Sequence, residues 1–141
     1  MTPLGSNASQ PKASLLKTVA LTALVTGAAY LALLGWDQTR DVQPDGRQTG
    51  PYQAWQVVML ALVIALTAAA AGLRHRPAVA TTVATIALTT CWTIDAATDP
   101  PTGNDGLWPV GAVIVAVGTF AGVALVSSVV AHVAGGGRKR L

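Results

Sequence analysis

Charged residues fall in clusters along this chain and leave four uncharged windows, residues 18–36, 48–73, 77–94 and 106–137, of 19, 26, 18 and 32 residues. A hydrocarbon core about 30 Å thick takes about 20 apolar residues at 1.5 Å of rise each, so each window predicts one membrane-crossing helix and none is long enough to cross twice. The predicted helices lie near residues 14–34, 53–73, 77–94 and 107–133, the third being the shortest. A buried helix of a water-soluble core needs amphipathic neighbours to cover it, and no segment here has a polar helical face, so the expected cover is lipid. The fold class predicted is therefore all-α: a four-transmembrane-helix bundle of up-down topology. It forms one domain over 14–134, between an N-terminal tail, 1–13, and a basic C-terminal tail, 135–141.

Composition agrees with the pattern. Of 141 residues, 52% are hydrophobic and only 11% charged, against about 25% charged in an ordinary soluble domain. Lys12 and Lys17 ahead of small residues Ala28, Ala29 and Ala32 resemble a cleaved signal. The apolar stretch is longer than a usual signal core, which favours a retained first helix. The single Cys91 excludes an internal disulfide and paired-thiol chemistry.

Charge also orients the chain. Lys12, Lys17, Arg74, Arg76 and the terminal Arg138, Lys139 and Arg140 share one side of the predicted bundle. Arg40 and Arg47 fall on the other with all six aspartates: Asp37, Asp41, Asp45, Asp95, Asp99 and Asp105. Short loops keep their Lys and Arg in the cytoplasm, so the expectation is a multi-pass plasma-membrane protein with both termini inside. Trp36, Tyr52, Trp55 and Trp92 lie at the predicted outer helix ends, where ring and polar tip are both satisfied, and are read as interfacial anchors. Tyr30 sits about two turns below Trp36.

Within lipid, small residues that allow close approach and polar groups that bond across helices sort one helix against another. Gly111, Gly118 and Gly122 share a face of the fourth helix, and Ala61, Ala65 and Ala69 a face of the second, with Gly72 beyond. These are predicted packing seams, within the chain in preference to between chains. Thr81, Thr85, Thr89 and Thr93 form a hydroxyl stripe on the third helix, ending beside Asp95. Such a stripe either lines a solute path or simply bonds to carbonyls one turn back. Asp37, Gln56, Asp95 and Trp108 are candidates for a polar pocket at the outer mouth of the bundle, the alternative being helix-end aspartates solvated at the interface.

Most site chemistries find no support. No charge falls at mid-membrane, where proton relays and ion paths keep one, and the absence of any Glu separates the chain from small multidrug exporters, which depend on a membrane-embedded Glu. Residues 41–52 begin like a calcium loop, with Asp41, Asp45 and Gly46, but Tyr52 stands where a bidentate Glu belongs. His75 and His132 fall on the predicted inner side, away from every acid, so neither a metal site nor a Ser-His-Asp set is expected. No phosphate-binding glycine pattern occurs, and the basic C-terminal tail is too short to read nucleic acid; its expected partner is anionic lipid headgroups. No catalytic residue, metal or cofactor is assigned.

Trp36–Asp37, then Gly50–Pro51–Tyr52 with Trp55–Gln56–Val57–Val58, then Gly106–Leu107–Trp108–Pro109–Val110–Gly111 carry a resemblance. Over roughly residues 36–111 the chain resembles small four-helix integral membrane proteins of high-GC bacteria. The resemblance implies a multi-pass plasma-membrane protein and brings no activity, substrate or cofactor. The function expected is a non-enzymatic accessory or scaffold-like component packing against a membrane-protein partner or itself. The alternatives are a small channel or transporter for an uncharged or weakly charged solute, or an outer-face ligand or cation sensor.

Overall fold

A computed structural model of the chain describes residues 10–36, 44–45, 50, 52–99 and 106–138. It is all-helical, with α1 Gln10–Leu33, α2 Ala54–Leu73, α3 Pro77–Thr98 and α4 Trp108–Arg138. All four are long and apolar enough to cross a membrane. Three run beyond their predicted ends. Helix α1 starts a turn early, and Pro11 in its first turn removes only an N–H that has no helical acceptor there. Helix α3 continues through Thr98, so Asp95 is a helical residue rather than a loop one. Helix α4 takes in Gly135 to Gly137, which the sequence placed in a tail.

Each helix turns a stripe spaced mostly by four residues toward the interior. On α1 it is Thr18, Thr22, Thr26 and Tyr30, with Leu34 just beyond; on α2, Gln56, Leu60, Ile64, Ala68 and Gly72; on α3, Ala80, Ala84 and Leu88; on α4, Val123 and Ser127. Residues four apart stack on one helical face, which is why the stripes hold together. The large apolar side chains left over, Leu16, Leu24, Leu66, Ile114 and Val133 among them, point outward from every helix. This outward apolar surface inverts what water would select and fits a lipid environment.

Helices α2 and α3 pack on each other, and both α1 and α4 pack on that pair, while no close backbone approach joins α1 to α4 among the described residues. The α2–α3 turn is closed by a Schellman motif, with the Arg76 N–H on the Ala71 carbonyl at 3.0 Å and the His75 N–H on that of Gly72 at 2.9 Å. His75 occupies the left-handed position at φ 54°. Pro77 then starts α3. At this end the Arg76 guanidinium donates to Ser14 Oγ of α1 at 3.0 Å.

Helix α4 is pinned near both ends. Gly111 lies directly against the Trp92 ring, where no side-chain carbon fits without displacing the indole. A Cβ on Gly72 would stand 2.5 Å from the Ser127 carbonyl oxygen. Ser127 itself donates to the Val123 carbonyl at 2.6 Å, which leaves that surface smooth for α2.

Candidate functional site

Three helices converge on one carboxylate. Tyr30, in the last turn of α1 and 2% exposed, donates through its hydroxyl to Asp95 Oδ2 at 2.7 Å. Tyr52, two residues ahead of α2, donates to the same oxygen, and the two hydroxyl oxygens lie 3.4 Å apart. Two phenols pointing their protons at one oxygen require it to act as acceptor, the arrangement that suits a carboxylate partly withdrawn from water. Among the described residues no cationic side chain pairs with Asp95, and the two hydroxyl dipoles are what compensate it there. Burial foremost, and then the bond to Asp95, raises the Tyr52 phenol above its ordinary value of 10.0. Desolvation penalises the phenolate, and a phenolate would also face the carboxylate.

Local sequence explains the placement. The first turn of α2 is held by the Gln56 side chain, which accepts from the Gln53 N–H across the helix start. That reach back is one arm of a capping box. Gln56 is fully buried as it does so. At the far end of α3, Thr98 Oγ1 donates to the carbonyls of Ile94 at 2.7 Å and Asp95 at 3.1 Å, tying down the turn that carries Asp95.

Beside this cluster an open, apolar cavity of about 320 Å³ is lined by Tyr30, Tyr52 and Trp92 together with Leu60, Leu88 and Ile114. It shares Val57, Leu60, Leu88, Gly118 and Thr119 with a second cavity of about 310 Å³ that lies between α2 and α4 and is bordered by Ala61, Ala65 and Gly122. The two form one groove, aromatic at the Tyr30 end and walled by small residues further along.

The sequence-derived candidates divide. Of the expected polar pocket, Asp95 is a centre of hydrogen bonding, Gln56 serves the α2 start, Trp108 is half-buried at the start of α4, and Asp37 lies outside the described residues. Among the expected anchors, Trp36 and Trp55 are 65% and 56% exposed, whereas Tyr52 and Trp92 pack against the core and line the cavity. Their inward turn is a correction with a clear cause: Tyr52 finds Asp95, and Trp92 finds the bare backbone of Gly111.

Within the chain the predicted seams divide. Gly111 is a tight seam, but Gly118 and Gly122 are exposed with open space where a Cβ would stand. On α2 the buried stripe includes Leu60, Ile64 and Ala68, one position away from Ala61, Ala65 and Ala69, of which Ala61 is exposed and the others half-buried. Apolar interior and lipid are alike to Leu or Ile, so residue size alone did not mark the inner face.

In the hydroxyl stripe, Thr81 donates to the Pro77 carbonyl at 2.9 Å, and Thr93 is half-buried. The hydroxyls of Thr85 and Thr89, with that of Thr26 on α1, are buried without a hydrogen-bond partner among the described residues.

Sequence reasoning missed Tyr30 as a ligand of Asp95, and with it the polar stripe of α1. The signal was present in the spacing of Thr18, Thr22, Thr26 and Tyr30. Among the described residues no group of His, Cys, Asp or Glu stands together in the manner of a metal site. No known protein family, curated protein or solved structure matches the chain.

Proposed function

We propose that this chain is a multi-pass plasma-membrane protein whose four helices run up and down with both termini in the cytoplasm. In this reading it works, without catalysing a reaction, as an accessory component that packs against another membrane protein. The loop charges support the orientation, with basic residues at the Arg74–Arg76 turn and both tails. The observation that carries the functional reading is the open middle of the α2–α4 groove, where Ala61, Ala65 and Gly122 leave backbone accessible to a further helix. The basic C-terminal tail is assigned to anionic headgroups.

The test is a photo-crosslinking residue at Gly122 in native membranes, followed by mild extraction and mass spectrometry. One defined larger complex, joined through Gly122 and lost when Gly122 is replaced by Leu, is the expected result. A monodisperse monomer without adducts overturns the reading.

A second reading has one observation in its favour. The unpartnered hydroxyls of Thr85 and Thr89 suit a path for an uncharged solute in a small channel or transporter. Replacing both by Val then abolishes flux while insertion stays intact; unchanged flux removes this reading.

A further inference from the structure

The geometry points to a binding site for a small quaternary ammonium cation at the aromatic end of the groove, with its apolar body in the cavity beside Leu60 and Ile114 and its charge against Tyr30, Tyr52 and Trp92 in front of Asp95. This goes beyond the accessory reading, because Ala61 and Gly122 border the neighbouring cavity and not this one.

Four features select the ligand. The cavity of about 320 Å³ falls at the small end of the range that holds compact organic ligands. Its lining includes the aromatic residues Tyr30, Tyr52 and Trp92, a side-chain type that attracts cations. Behind two of these rings stands a carboxylate without a cationic partner among the described residues, and apolar walls lower the screening of its field. Both phenol protons are already directed at Asp95, so the tyrosines have no donor left for an anion or a carbonyl. A quaternary ammonium needs no acceptor in return, so it enters without breaking either bond.

The experiment uses the full chain in nanodiscs of phosphatidylglycerol, with benzyltrimethylammonium as the probe and benzenesulfonate as a matched anion, read by tryptophan fluorescence and calorimetry. Saturable binding of the cation alone is expected, weakened at least tenfold in Asp95→Asn. Because Asp95→Asn also removes a structural bond, Gly118→Leu provides a second arm. Gly118 has open space at its Cβ position and lines the cavity, so this variant blocks binding with helix content unchanged.

Equal binding of benzenesulfonate, or affinity within twofold of the parent in Gly118→Leu, overturns the proposal. Competition by phosphatidylcholine added to the nanodiscs overturns it in favour of a lipid headgroup. Binding that survives while Gly122 yields no adduct leaves this inference standing and the accessory reading refuted.

Discussion

Tyr30 and Asp95, 65 positions apart in the chain, are joined by a 2.7 Å hydrogen bond that fastens the end of α1 to the end of α3. Tyr52 joins at the same oxygen and brings in α2. Helix α4 is held separately, by Gly111 on Trp92 and by Gly72 on Ser127. The bundle thus has a polar fastening at one end of three helices and close backbone contacts for the fourth, with the groove left between them.

Loss of the fastening has a predictable cost. A hydrogen bond to a charged group contributes about 1.5–3 kcal/mol, and an orphaned partner adds to the loss. Tyr30→Phe is expected to destabilise the protein by about 2 kcal/mol. Asp95→Asn costs at least as much, since it changes the acceptor for two phenols at once. Thermal unfolding in neutral detergent measures both, and the Tyr30→Phe, Asp95→Asn double variant should fall well short of the summed losses. Additive losses would mean that the two residues do not act as a unit.

The number of helices and their approximate places were legible in the sequence because both follow from where charge is absent, whereas three of the four run beyond the predicted ends. The central fastening was less so. The charge-free criterion ended the third helix at Ile94, whereas Asp95 stays helical by finding Tyr30 and Tyr52, a gain that depends on chain distant in sequence. Small residues stand out on α2 and α4 in the sequence, but which of them pack within the chain is not written there. Gly111 is covered because Trp92 reaches it, Gly118 is open because no side chain does, and neither fact is contained in local spacing.

Alkaline pH should loosen the same end of the bundle. The Tyr52 phenol is raised in the folded protein above 10.0, so the neutral form is favoured by folding. Its contribution is fully present below pH 10, where folded and unfolded chains are both protonated. It is lost as pH rises through the higher folded value, because the unfolded chain ionises first. In Tyr30→Phe, Tyr52 is the sole tyrosine of the chain, and its ultraviolet absorption reports it alone. Tyrosinate is expected to form at higher pH in the folded protein than in denaturant. Coincident curves would count against burial of the phenol.

Two glycines on the same groove-forming pair of helices should respond differently. Alanine at Gly72 places a methyl group 2.5 Å from the Ser127 carbonyl oxygen, which belongs to helix backbone and cannot swing aside. Overpacking of this kind costs about 1–3 kcal/mol. Alanine at Gly118 meets nothing within 4 Å and gains helix propensity, so it is expected to be neutral or stabilising by up to about 1 kcal/mol. Melting temperatures of the two variants in one detergent decide the matter, and a destabilised Gly118→Ala would show that the groove closes.

The α2–α3 turn holds the last prediction. His75 sits at φ 54°, in the position after the helix cap that glycine fills in most Schellman turns, and its N–H is committed to Gly72. A side chain in the left-handed region costs about 1–2 kcal/mol, while glycine adds freedom to the unfolded chain, so His75→Gly is expected to stabilise by somewhat less, about 0.5–1 kcal/mol. His75→Val removes the imidazole as well but is β-branched, and should destabilise. The opposite signs separate backbone strain from any contribution of the ring, such as its approach to Gly135. If both variants lower the melting temperature equally, the ring and not the backbone governs this turn.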